Sequence, residues 1–252
     1  LSILSATVLF IRSDFFSIGE INVSGSSDSE KVLSEVRNTI SGNYIKILPK
    51  SNIAIFPKQD IASTTKSLFK EIETISIHRS GISSISIDIK EKLPIAILCD
   101  GFEGDNDIKC FLIDFDGFAY KQVQNTNYSN LNKYYSTALS DGDILGKKFL
   151  EPSKLKEFDD FIKGISKIGI IPMGILINDG GQYEMYIEDT LHQTKNASST
   201  PVTIYMNDKI SLSKILYNFQ VFWKNYQNTV KNSKPFDYID MRFGNTVFYA
   251  TK

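Results

Sequence analysis

Apolar and polar residues alternate strictly from Ser84 to Lys90, with Ile85, Ile87 and Ile89 set between Ser84, Ser86, Asp88 and Lys90. A period of two sends one face to a core and the other to water, so the pattern predicts a half-buried strand. Pro94 follows shortly after and cannot donate to a sheet ladder, so the pairing should end there. The stretch from Glu91 to Ala96 therefore reads as the handover between two folded units.

Upstream of that junction, Phe15 to Ser24 reads as a strand with Ile18, Ile21 and Val23 apolar, ended by Gly25. Ser27 followed by Glu30 is a capping box, and the helix behind it carries Leu33, Val36 and Ile40 on one face. Gly42 and Asn43 stop that helix. Tyr44 to Phe56 is irregular and apolar, broken by Pro49 and closed by Pro57. A second helix fits Gln59 to Ile72, with Ile61, Thr65, Leu68 and Phe69 inward, and Glu73 to Arg79 reads as a strand before a turn at Gly81. The order is strand, helix, helix, strand, strand. It predicts two helices on one face of a three-stranded sheet.

Beyond Pro94 strands dominate: Leu93 to Cys99, Cys110 to Asp114 and Phe118 to Val123, with Asp116-Gly117 as a turn. Gln124 to Ser136 reads as a loop or a solvated strand, and His192 to Thr200 as a polar loop. Pro152 opens a helix whose apolar face is Leu155, Phe158, Ile162 and Ile165. Ile170 to Ile177 and Tyr183 to Glu188 flank Asn178-Asp179-Gly180-Gly181, a hairpin turn. Pro201 to Met206 is a further strand. A long helix then carries Leu212, Ile215, Leu216, Phe219, Phe222, Trp223 and Tyr226 at helical spacing, a core face rather than a partner groove. Phe236 to Arg242 and Thr246 to Thr251 are the last strands. The class is α+β, the second unit being built on an extended, largely antiparallel sheet.

Composition changes this picture little. The chain has 252 residues, 42% hydrophobic and 23% charged, with a formal net charge of -1 and a pI near 6.2, so a nucleic-acid partner is not indicated. Leu1 to Ile11 is uncharged and apolar up to Arg12, shorter than the roughly 20 residues of a spanning helix. It reads either as the outer end of a truncated transmembrane helix or as a buried first helix; the abrupt start and the polar Arg12-Ser13-Asp14 favour the membrane reading. Cys99 and Cys110 would meet across a hairpin. They form either a disulfide, worth about 3 kcal/mol by loop entropy, or two half-buried thiols, and an oxidising compartment favours the bond.

Signals for catalysis are sparse. His78 falls on the outer face of a strand and His192 in a polar loop, neither with neighbours at metal-ligand spacing. Nucleophile elbows, zinc-protease helices and Gly-rich phosphate loops are absent. Asp105, Asn106 and Asp107, and Asp114 with Asp116, lack the further ligands of a calcium loop and read as turns. Asp159-Asp160 falls on the solvated side of its helix. No catalytic residue, cofactor or metal is expected. The exposed edge strands of the two sheets are the features that invite a partner, by strand addition.

Four short motifs, in order, carry a resemblance: Ile21-Asn22-Val23-Ser24-Gly25; Glu91-Lys92-Leu93-Pro94-Ile95-Ala96; Leu112-Ile113-Asp114 with Gly117; and Tyr238-Ile239-Asp240-Met241-Arg242 after a long helix. With the element order, they make the chain similar to the extracytoplasmic part of the bacterial division family FtsQ/DivIB. The resemblance implies a truncated transmembrane helix over residues 1–14, a POTRA domain over 15–92 and the family's β-domain over 93–252. It implies a non-enzymatic scaffold anchored in the cytoplasmic membrane at the division septum, with partners of the FtsB and FtsL type. By motif the partner contact maps onto Arg242 and Phe243, and by position onto the edge strand Thr246, Val247, Phe248 and Tyr249. Gly244-Asn245 is a tight turn where some family members have a longer polar strand. Asp240 and Arg242 share a strand face and also form a plausible surface ion pair. The edge near Ile21 or Ile77 is a second candidate. The rival readings are a POTRA protein of outer-membrane assembly or secretion, which predicts repeated modules and a barrel, and an extracytoplasmic enzyme with an unrecognised site.

Overall fold

A computed structural model describes residues 14–45, 47–101, 108–123, 128, 130–136, 144–178, 180–188 and 201–252 apart from 230–233. The chain divides into two compact units, the first running to Leu93 and the second from Pro94 to Lys252. It is a mixed α+β protein, with four α-helices among the described residues.

In the first unit, β1 (Glu20–Ser24), β5 (Ser84–Glu91) and β4 (Ile72–Arg79) form a sheet in the order β1-β5-β4. β5 lies in the middle, parallel to β1 and antiparallel to β4. The alternating isoleucines account for that position: Ile85, Ile87 and Ile89 all point into the core. Helices α1 (Ser29–Thr39) and α2 (Lys58–Leu68) supply Val32, Val36 and Ile61 to the same core. The opposite sheet face is polar, with Ser24 Oγ donating to Asp88 Oδ1 at 2.7 Å and Lys90 paired to Glu73 at 2.7 Å.

Several local expectations are corrected here. The strand expected from Phe15 starts only at Glu20, because Asp14–Phe16 is a 3-10 turn and Ser17 bridges to Asn52. The capping box is not made. Ser27 spends both its backbone N–H (2.6 Å) and its hydroxyl (2.9 Å) on Glu91, and α1 starts at Ser29 without a side-chain cap. α2 stops at Leu68, which is exposed, so that Ile72 can open β4. The irregular stretch 44–56 contains a minimal hairpin, β2 (Asn43–Tyr44) with β3 (Leu48–Pro49).

The second unit is built on one nine-stranded sheet. Its strands are β6 (Ala96–Cys99), β7 (Cys110–Ile113), β8 (Ala119–Val123), β9 (Asn132–Tyr135), β10 (Pro172–Asn178), β11 (Gln182–Ile187), β12 (Val202–Asn207), β13 (Phe236–Phe243) and β14 (Thr246–Thr251). They run in the order β14-β13-β12-β11-β10-β9-β6-β7-β8. The sheet is largely antiparallel, as expected, with five antiparallel pairings of eight; β6 and β9, β9 and β10, and β12 and β13 pair in parallel. Helices α3 (Pro152–Ser166) and α4 (Leu212–Thr229) are the crossovers of the β9–β10 and β12–β13 pairs, while β6 is followed by β7 and β8 before β9. Both helices pack on one face, where Phe158, Phe161, Phe219 and Trp223 meet Ile175, Met185, Ile204 and Ile239. Gly164 of α3 is the close approach: a Cβ there would lie 2.3 Å from Leu216 Cδ2 of α4.

Cys99 and Cys110 are directly paired on β6 and β7 and disulfide-bonded, with Cα atoms 4.1 Å apart. The bond is buried with Ile97, Tyr135 and Leu176 on the sheet face opposite the helices.

The membrane expectation is corrected as well. Among the described residues no helix is long and apolar enough to cross a membrane, so a single-pass anchor is not shown. The apolar run before Arg12, on which that expectation rested, lies outside the described residues, as do Asp105 to Asp107 and His192.

Candidate partner-binding edge

A sheet edge can accept a new strand only where its outer backbone groups are left uncovered. The two edges of the large sheet differ in this respect. At the start of β8 the chain covers its own edge: Ala119 N–H donates to the Lys147 carbonyl at 3.0 Å, the Ala119 carbonyl accepts from Gly146 at 2.6 Å, and Phe118 just before it bridges to Lys148. At the other end β14 has β13 as its one sheet neighbour among the described residues.

Thr246, Val247, Phe248 and Tyr249 all lie on that outer strand. Register sorts their side chains. Ile239 faces Tyr249, so Tyr249 lies on the helix side and its ring meets Phe222 at 5.5 Å and Phe236 at 5.6 Å. Val247 packs against the main core from the same side. Asp240 faces Phe248 on the open side. Despite these contacts Phe243, Phe248 and Tyr249 remain about half exposed, at 58%, 51% and 49%.

Irregular pairing of β13 explains how Arg242 and Phe243 come to share this edge. The register shifts between Asp240 and Phe243, leaving an extra residue on β13. Phe243 thereby pairs with Thr246 and meets Phe248 edge to face at 5.2 Å, where simple alternation would have sent it to the helix side. The turn that follows is held by Asn218 of α4, whose Nδ2 donates to the Gly244 carbonyl at 2.8 Å. Gly244 adopts φ +68, a backbone conformation costly for other residues.

Arg242 is not a loose surface charge. Its Nε donates to Asp240 Oδ1 at 2.9 Å and its Nη2 to Asp240 Oδ2 at 2.5 Å, a two-pronged ion pair. The Arg242 backbone N–H adds a third bond to Oδ1 at 3.1 Å. The guanidinium also lies 5.2 Å from the Tyr205 ring centre, a cation–π contact. Asp240 is buried, which alone would push its carboxyl up; the hydrogen bonds and charge of Arg242 outweigh burial and hold it below the usual carboxylate range. Tyr205 is raised, first by burial and then by the negative charge of Glu184. The expected ion pair therefore exists, and it also fixes the guanidinium beside the edge.

Sequence reasoning missed Tyr205 and Glu184 on neighbouring strands: the Tyr205 ring lies under the Arg242 guanidinium, and the Glu184 carboxylate acts on it electrostatically. Their signal was the polar-apolar alternation of β11 and β12, read only for its buried half. The second candidate edges are less open. Ile77 is buried and Ile21 packs against the core, and beside β4 the Arg79 guanidinium donates to the Ala54 carbonyl at 2.8 Å. His78 is exposed and sits 3.4 Å from Asp88. Asp114 Oδ1 accepts the Asp116 and Phe118 N–H groups, a turn as expected. Asp159 and Asp160 each pair with a lysine of their own helix, Lys163 and Lys156.

Compared with known proteins, the sequence matches no protein-family model and no curated protein.

Proposed function

We propose that this chain is a non-enzymatic scaffold of the FtsQ/DivIB kind, binding FtsB- or FtsL-type proteins by strand addition at β14. The first unit is taken as a POTRA domain and the second as the family's β-domain. The single observation that carries the reading is the contrast between the two ends of the large sheet. The start of β8 is bonded by residues 146 and 147, whereas β14 has β13 as its one sheet neighbour among the described residues, and the half-exposed rings of Phe243, Phe248 and Tyr249 lie at this edge beside a positioned Arg242. An incoming strand would extend both side-chain rows, meeting Phe248 on the open side and Tyr249 on the helix side. Aromatic and arginine side chains of this kind dominate binding energy at interfaces.

The test is calorimetric titration of the whole chain with an FtsB-type segment. Phe248→Asp is expected to weaken binding at least about tenfold, as is Arg242→Glu, since both place a charge against the incoming strand. Unchanged affinity in both variants would remove the β14 assignment.

A further inference from the structure

The hairpin tip of the first unit combines backbone strain with exposed apolar side chains. The Ile47 N–H donates to the Tyr44 carbonyl at 2.9 Å, the bond of a β-turn linking β2 to β3. Ile45, the second residue of that turn, adopts φ +48 and is the one non-glycine residue with a positive φ among the described residues. Turns that need this conformation use Gly, Asn or Asp, and a β-branched residue there is strained. The strain gains no contact inside the chain. Ile45 is 90% exposed, and neither Ile45 nor Ile47 belongs to the core beneath.

The tip stands on a fixed base. Lys50 N–H donates to the Gly42 carbonyl at 3.0 Å, Ile18 N–H to the Ser51 carbonyl at 2.8 Å and Ile53 N–H to the Phe16 carbonyl at 2.8 Å, while Ile53 and Phe56 are buried. Tyr44 Oη donates to the Ile55 carbonyl at 3.2 Å, which sets a third exposed isoleucine beside the hairpin. Lys50 Nζ lies 5.9 Å from the Tyr44 ring centre. Residues 41–59 include Lys46, Lys50 and Lys58 and no Asp or Glu. Asp60, in the first turn of α2, is the acid whose charge reaches Tyr44.

We infer that this tip inserts into the surface of a lipid bilayer, with Ile45 and Ile47 entering the acyl boundary and Tyr44 and Lys50 staying among the headgroups. Size argues against a protein partner. A stable interface takes about 800 Å² from each side, more than a turn bearing two isoleucines presents. A fluid surface needs no matching shape and favours the apolar side chains that enter it. Tyrosine and lysine, each with an apolar body and a polar end, suit the boundary between acyl chains and water. The contact is peripheral and involves no spanning helix. It belongs to the first unit and does not depend on strand addition at β14.

The probe is a unilamellar vesicle of phosphatidylcholine with about 30 mol% phosphatidylglycerol, because lysines favour anionic headgroups. Both native cysteines are disulfide-bonded, so Ile47→Cys gives the whole chain one reactive thiol for an environment-sensitive dye. On vesicle addition the dye at 47 should shift its emission to the blue and be quenched by lipids carrying spin labels in their acyl chains. The same dye at Lys214→Cys, exposed on α4 of the second unit, should not shift. Ile45→Gly in the chain labelled at 47 should raise the vesicle concentration at half-shift at least about tenfold, the loss of one buried isoleucine side chain. Its melting temperature should not fall, because glycine adopts φ +48 without strain. An unshifted dye at 47, an equal shift at 214, or the same midpoint and amplitude in Ile45→Gly would overturn the proposal. Failure here leaves the β14 reading untouched, and loss of FtsB-type binding in Phe248→Asp leaves this one untouched.

Discussion

Asp240 is held between two opposing forces, and the balance sets a pH dependence. Burial disfavours its charge, but the Arg242 bonds win and its folded pKa lies below the ordinary aspartate value. A carboxyl depressed in this way adds stability that is fully present above the unfolded pKa and disappears as pH falls through the folded one. Asp240→Asn should therefore cost about 1 kcal/mol at neutral pH, a modest figure because Arg242 is partly exposed to solvent. The gap should close in acid, between the ordinary aspartate range and the lower folded value, when urea melts are compared across pH. Thr65 of α2 presents the opposite case. Its Oγ1 is buried without a hydrogen-bond partner, so the hydroxyl is desolvated for no return. Thr65→Val keeps the shape and removes the hydroxyl; denaturant unfolding should show it neutral to about 1 kcal/mol more stable. Thr65 was legible in sequence as an inward residue. Asp240 and Arg242 were legible as a same-face pair. The burial of Asp240 and the Tyr205 contact were not, because they come from strands β12 and β13, which lie side by side only after α4 has crossed over.

At the scale of elements, two packing devices carry predictions of their own. The Cys99–Cys110 bond closes a loop with a sequence separation of 11, so reducing it should lower stability by about 3 kcal/mol if loop entropy dominates. Chemical denaturation with and without reductant measures this, and mass spectrometry of the non-reduced protein tests the pairing itself. Gly164 sets two effects against each other. Alanine would gain about 1 kcal/mol of helix propensity, but its Cβ would press on Leu216 from 2.3 Å, and overpacking of this kind costs about 1–3 kcal/mol. Gly164→Ala should therefore be destabilising on balance, and Gly164→Val more so, by melting temperature. The elements most legible in the sequence were those with a clean period: the alternating isoleucines of β5, and the apolar stripe of α4, from Leu212 to Tyr226, that became its core face. β9 was obscure because only Tyr134 and Tyr135 of its residues are fully buried, so it reads as polar loop. The parallel pairings were invisible for another reason. A strand's apolar pattern reports how it is buried, while its direction relative to a neighbour is set by the crossover between them.

Across the whole molecule, the two units turn different open faces to solvent. That of the first sheet is a polar ladder in which Ser24, Asp88, His78, Lys90 and Glu73 bond one another. That of the second carries the half-buried rings of Tyr186, Tyr205 and Tyr238, and it ends at β14, whose one sheet neighbour among the described residues is β13. Polar groups bonded among themselves gain little from a partner, whereas half-exposed rings gain by burial at roughly 25 cal/mol per Å². Binding should therefore concentrate on the second unit even though both units have sheet edges. Hydrogen exchange on the whole chain with an FtsB-type segment tests this at once for every amide. β14 amides that point away from β13 should exchange quickly in the free protein and slow about a hundredfold or more in a saturated complex, as they join a ladder. Those of β1 and β4 should not change. Protection along β1 or β4 with β14 unaffected would move the interface to the first unit, and the aromatic edge would then need another explanation.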